Sequence, residues 1–95
     1  MLPENRIPTH PGEVLNEEFL KPLGLTQVAL AEHLGIPVQR INELVRRKRG
    51  VTPETAWLLA GAFGTTPDFW INLQTSHDLA ATRPTKEVPR LAKAA

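Results

Sequence analysis

The chain is expected to be all-α: a compact five-helix domain over residues 1–81, built around a helix-turn-helix, followed by a flexible basic tail over 82–95. Three observations lead there. Apolar residues recur at helical spacing in short segments. Start signals recur ahead of those segments, as His10-Pro11, Thr26, Thr52-Pro53 and Thr66-Pro67, and glycines follow several of them, as Gly24, Gly35 and Gly64. Nowhere is there a sustained apolar–polar alternation bounded by turns, so no strand competes.

The first segment opens at Thr9-His10-Pro11-Gly12-Glu13, where Pro suits an early helical position and His10 can cap. Leu15 and Phe19 carry its apolar side, Val14 and Leu20 flank it, and Pro22 and Gly24 are expected to end it. Thr26 is an N-cap for the second helix, with Leu25 and Leu30 placed as a hydrophobic staple. Leu30, Ala31 and Leu34 follow, and Gly35 closes the helix. The third helix is expected from near Pro37 to about Arg46, with Ile41, Leu44 and Val45 as its apolar stripe. Thr52-Pro53-Glu54 starts a fourth helix with Ala56, Leu59, Ala60 and Phe63 at core spacing, and Thr66-Pro67-Asp68 starts a fifth. The acidic residues in these first turns suit the positive end of the helix dipole. After about Ala81 two prolines and scattered charge dissolve the pattern into a tail.

Helices two and three have the requirements of a DNA reader. A helix that enters a major groove about 12 Å wide needs one narrow apolar stripe and a polar opposite face. The preceding helix must cross it closely, which favours a small residue such as Ala31, and Gly35-Ile36-Pro37 supplies the short turn. At about 100° per residue the face opposite the stripe carries Gln39, Glu43 and Arg46, flanked by Arg40, Asn42 and Arg47. Arg can bond guanine, Asn and Gln adenine, and Glu cytosine, so Gln39, Arg40, Asn42, Glu43 and Arg46 are candidates for base edges. Glu43 also sits three and four residues before Arg46 and Arg47 and is expected rather to pair with them. Arg46, Arg47, Lys48 and Arg49 suit phosphates, which give affinity without sequence information. Gln27 can donate to a phosphate beside the amides of the second helix. Pro37 and Val38, at the start of the reader helix, complete the expected DNA-binding set.

The charge is unevenly placed. The net charge of +1 sums −3 over residues 1–39, +4 over 40–49, −3 over 50–82 and +3 over 83–95. A compact basic block on an otherwise acidic domain points to one anionic partner met at one place. There is no cysteine, which excludes disulfides and thiolate metal sites. His10, His33 and His77 are scattered, with no metal-ligand spacing. No nucleophile–base–orienter set and no glycine-rich phosphate loop is present, so neither catalysis nor a cofactor is expected. No stretch of 18 or more apolar residues is present, and the N-terminus lacks the apolar centre of a signal peptide, so a cytoplasmic location is expected. Phe69-Trp70-Ile71-Asn72-Leu73 is apolar around most of a helix, so Phe69, Trp70 and Leu73 are expected at a dimer interface. Trp57 and Leu58 lie off the main stripe of the fourth helix.

Three separated blocks carry a family likeness: His10-Pro11-Gly12-Glu13, the helix-turn-helix through Val45, and Phe69-Trp70 with Asn72-Leu73-Gln74. Over roughly residues 7–81 the chain resembles the HigA-type antitoxins, a branch of the Xre-like (lambda-repressor-like) helix-turn-helix regulators in which some members are labelled VapI-like. The resemblance implies a five-helix fold and a homodimer on a palindromic operator of double-stranded DNA over its own promoter. It also implies a HigB-like toxin partner, a RelE-like ribonuclease that cuts mRNA, which the antitoxin binds and silences. The alternatives are a stand-alone regulator without a toxin and a pure protein-interaction domain. Two departures stand out. Pro37 replaces the usual Ser or Thr, so a capping hydroxyl is lost. Arg46-Arg47-Lys48-Arg49 replaces Asn-Gly-Lys-Arg, so the glycine that would end the reader helix is missing and the helix is expected to run further.

Overall fold

The structure, a computed structural model, describes residues 8–92. Five helices follow one another, and no strand occurs among the described residues. Helix α1 is continuous over residues 11–23 and consists of an α-turn at Pro11–Val14, a π-helical stretch at Leu15–Leu20 and a last α-turn at Lys21–Leu23. Helix α2 spans Gln27–Leu34, α3 Val38–Val45, α4 Pro53–Phe63 and α5 Pro67–Ala81.

The helix starts are built by side chains, as the sequence implies. His10 Nδ1 accepts from Gly12 N–H (2.9 Å) at α1. The hydroxyls of Thr26, Thr52 and Thr66 accept from the amides of Ala29, Thr55 and Phe69 at 3.0, 3.3 and 3.2 Å. Each such cap satisfies a donor that has no partner inside the helix. Helix α3 differs: Pro37 stands at its cap position, and no side chain caps it.

Helix α1 corrects one expectation. Pro22 does not end it; the helix passes through Pro22, and Gly24, at φ 62°, ends it. The π-type stretch upstream makes this possible. Lys21 N–H reaches back to the Asn16 carbonyl, one residue further than in an α-helix, which widens the turn that the proline ring would otherwise strike. The same wider turn brings Leu15 and Leu20, five apart, onto one buried face.

The core is formed by Leu15, Leu20, Leu30, Ala31, Ile41, Leu44, Val51, Ala56, Leu59 and Trp70. Trp70 is completely buried. Its ring lies 5.3 Å from that of Phe19 and 6.5 Å from that of Phe63. Its indole Nε1–H donates to Thr65 Oγ1 (2.8 Å), so the polar end of the indole is satisfied inside the domain. The expectation that Trp70 lies at a dimer interface is therefore corrected, because it has no surface left to offer. Leu73 and Ile71 are half-buried against the same core. The exposed apolar side chains of this half of the molecule are Phe69 and Leu79 on α5 and Trp57 on α4, the last 69% exposed. Residues 82–92 leave the end of α5 fully exposed and without helix.

Trp70→Ala should cost about 3–5 kcal/mol, because a large cavity opens and Thr65 loses its partner. Trp57→Ala should change the stability of a single chain by no more than about 0.5 kcal/mol. Urea unfolding of the two variants reads the difference directly.

Candidate nucleic-acid interface

Helix α3 is anchored from behind by Ile41 and Leu44, each 1% exposed. Ala31 of α2, 2% exposed, allows the close crossing of the two helices. The turn between them closes on Gly35, at φ 72°, with Ile36 N–H donating to the Ala31 carbonyl at 3.1 Å. This leaves Pro37, Val38, Gln39 and Arg46 exposed, with Asn42 and Glu43 half-buried beside them. The polar face has the composition of a base reader.

The structure sorts the expected residues into free and engaged ones. Asn42 Nδ2 donates to Gln27 Oε1 at 3.2 Å. The amide at the start of α2 thus braces the asparagine of the reader face, and both keep unused hydrogen-bonding capacity. Arg40 points the other way. Its Nη2 donates to Glu54 Oε1 (3.1 Å) and Thr55 Oγ1 (3.3 Å), with its side chain 28% exposed. Arg40 therefore fastens α3 to the start of α4, and the base-contact expectation for it is corrected. Glu43 is paired, but with Arg49 rather than Arg46 or Arg47: Arg49 Nε and Nη2 lie 3.0 and 2.9 Å from Glu43 Oε1. Arg46, Arg47 and Lys48 remain exposed, and they form no ion pair among the described residues.

The end of α3 departs from expectation. The helix does not run on; it stops at Val45, and Arg47 turns the chain with φ 63°. Lys48 N–H donates to the Glu43 carbonyl (2.8 Å) and Arg47 N–H to the Leu44 carbonyl (3.0 Å). The same pair of bonds closes α1 at Gly24 and α2 at Gly35. Arg47 is the one described non-glycine residue with a positive φ. It occupies a glycine's place at a cost of roughly 1–2 kcal/mol. The missing glycine therefore does not remove the stop, which the downstream contacts enforce. Gly50 lies against the Gln74 amide, and Val51 N–H donates to Gln74 Oε1 at 2.7 Å, which pins the loop to α5. Gln74, which lies outside the expected DNA-binding set, holds the basic loop in place.

No group of three or more His, Cys, Asp or Glu side chains able to hold a metal ion occurs among the described residues. No described helix is long and apolar enough to cross a membrane.

Arg47→Gly should raise stability by about 1 kcal/mol while weakening DNA binding and flattening its salt dependence by about 0.9 in log–log slope for each lost phosphate contact. Arg46→Ala should weaken binding to a specific duplex by roughly tenfold, whereas Arg40→Ala should act mainly on stability, by less than about 1 kcal/mol. Thermal melts with fluorescence-anisotropy titrations at several salt concentrations measure both effects.

Comparison with known proteins agrees with this geometry. A family model described as "Helix-turn-helix" matches residues 17–70. The chain is 46% identical over 85 residues to Virulence-associated protein I of Dichelobacter nodosus, covering 88% of this chain and 79% of that one. It is 44% identical over 79 residues to antitoxin HigA-1 of Vibrio cholerae, covering 82% and 73%. Among solved structures, antitoxin GraA in complex with its operator is similar with a TM-score of 0.85 and 37% identity, over 98% of this chain and all of that one (100%). The chain belongs to the Xre-like helix-turn-helix family, in the branch of the HigA-type antitoxins and VapI-like proteins.

Proposed function

We propose that this chain is an antitoxin that also represses its own operon: a homodimer that reads a palindromic operator and binds and neutralises a RelE-like mRNA-cleaving toxin of the HigB kind. The observation that carries the DNA part is the exposed face of α3. Gln39, Asn42 and Arg46 are presented together there, with Arg47 and Lys48 exposed at its end. Side chains of this type on such a helix read base edges, and the cations beside them meet phosphates. In this reading Val38 and Pro37 approach the groove, Gln27 braces Asn42 and reaches a phosphate, and Glu43 orients Arg49.

Dimerisation would place two α3 helices in successive major-groove faces about 34 Å apart. The exposed rings of Trp57 and Phe69 and the edge of Leu73 are the apolar surface available for it. Residues 1–81 would carry DNA reading and dimerisation, with 82–95 as a tail. The toxin part is supported by the relatives: one is named antitoxin HigA-1, and another is antitoxin GraA, whose structure holds its operator. The role is one of binding, without catalysis, and its place is the cytoplasm, where the operator is.

Co-expression with the product of the adjacent small open reading frame, followed by a mobility shift on a duplex from the intervening promoter, tests both halves. Co-purification with a shift is the expected result. A shift without a partner would leave a stand-alone regulator. No shift on any duplex from its own promoter region would leave only a protein-interaction domain.

A further inference from the structure

The motif His10-Pro11-Gly12 lies outside the DNA-reading face, yet it meets the end of the reader helix. Gly12 is buried, and its α-carbon lies so close to the Leu44 carbonyl that a methyl group there would overlap the oxygen and stand 2.7 Å from the carbonyl carbon. That same carbonyl accepts the Arg47 N–H that turns the chain at the end of α3. The start of α1 therefore sits directly behind the bond that sets the direction of Arg47 and the basic loop. Three further contacts fix the start of α1. His10, 5% exposed, holds the turn by accepting the Gly12 amide at Nδ1. His77 of α5 donates from Nδ1 to the Pro8 carbonyl at 2.9 Å. The His77 ring meets that of His10 edge-on at 4.9 Å.

We propose that His10 and Gly12 are positioning residues for operator reading: the turn they form is a seat that sets the height and direction of the last turn of α3 and of Arg47. The proposal rests on the DNA-reading role argued above. Neither residue faces the groove. They act through Leu44, one of the two side chains that anchor α3, and through its carbonyl. A shift of a few tenths of an ångström at this seat displaces the Leu44 carbonyl and the Arg46–Arg49 turn together, whereas Asn42 is held separately by Gln27 of α2. Misplacing the phosphate-gripping end relative to the base-reading face costs selectivity, because phosphate contacts set the register in which bases are read.

The seat also has a chemical signature. The Nδ1 lone pair of His10 is used by the cap, so a proton there breaks the hydrogen bond. The groups facing it are His77 and Asp78 on α5, Arg47 beyond α3 and Glu13 on its own helix. Burial depresses its pKa from the ordinary value, and His77 and Arg47 push the same way, while Asp78 and Glu13 oppose them. Because the folded value is the lower one, the stabilisation by neutral His10 is fully present above about pH 6.5. It is lost as pH falls through the folded value.

The test is an anisotropy titration of the full chain on a promoter duplex and on a scrambled duplex of equal length, at constant ionic strength, near pH 7.5 and in steps below it. The ratio of the two affinities is the readout, because simple loss of folded protein lowers both alike. Gly12→Ala should lower the ratio about tenfold or more while circular dichroism keeps its helical signal. Should that variant fail to fold, His10→Asn decides: asparagine caps a helix start but does not titrate. As the pH falls to where neutral His10 is lost, the wild type should lose selectivity about tenfold and His10→Asn less than about threefold. A folded Gly12→Ala as selective as wild type, or a His10→Asn that follows the wild type with pH, overturns the proposal. A wild type that does not distinguish the two duplexes at neutral pH removes the DNA-reading role itself, and the seat with it.

Discussion

A reader helix must keep most of its surface free for DNA, so little of it remains for packing. Helix α3 meets this constraint with two fully buried side chains, Ile41 and Leu44. Eight residues held by two anchors do not hold a direction by themselves, and much of the surrounding structure supplies what is missing. Arg40 is tied to Glu54 and Thr55 at the start of α4. Asn42 is tied to Gln27 on α2. Gly12 closes on the Leu44 carbonyl from α1, and Gln74 of α5 holds the loop at Val51. All of the other four helices contribute to the orientation of the third or of the loop that follows it.

The basic loop shows how such a design uses strain. Helices α1, α2 and α4 end on glycine with positive φ, which costs those residues no clash. The reader helix ends on Arg47 in the same conformation. A cation stands where an easy turn would be, and the cost is local conformational energy. Strain of this kind persists where the surroundings over-determine the backbone. Here the two turn hydrogen bonds, the Glu43–Arg49 pair and the Gln74 clamp do so. The Arg49 pair also keeps one of the four cations close to the helix, so Arg46, Arg47 and Lys48 project from a turn whose shape is already set.

The aromatic cluster of Phe19, Phe63 and Trp70 explains why α5, apolar around most of its first turns, is not simply an unpartnered surface. The core takes Trp70 whole, and half of Ile71 and Leu73. What stays outside is Phe69, with Leu79 further along the helix and Trp57 on α4. The exposed apolar surface is therefore smaller than the apolar composition of this segment implies, and part of it belongs to α4.

The sequence by itself determined the local structure: four side-chain caps, the glycine stops, five helices and the identity of the two helices that make the reader unit. These are decided by interactions within three or four residues, which a linear pattern displays directly. Helical phase also separated Ile41 and Leu44 from Gln39 and Arg46. The tertiary structure decided what each polar residue is free to do. Arg40 is engaged by Glu54, fourteen residues away, and Trp70 by rings from α1 and α4. Arg47 is bent into a left-handed turn that its own preference opposes. Gly12 reads as ordinary helix-start punctuation until α3 is packed against it. Those roles depend on neighbours brought together by packing, and the spacing of residues along the chain carries no information about them.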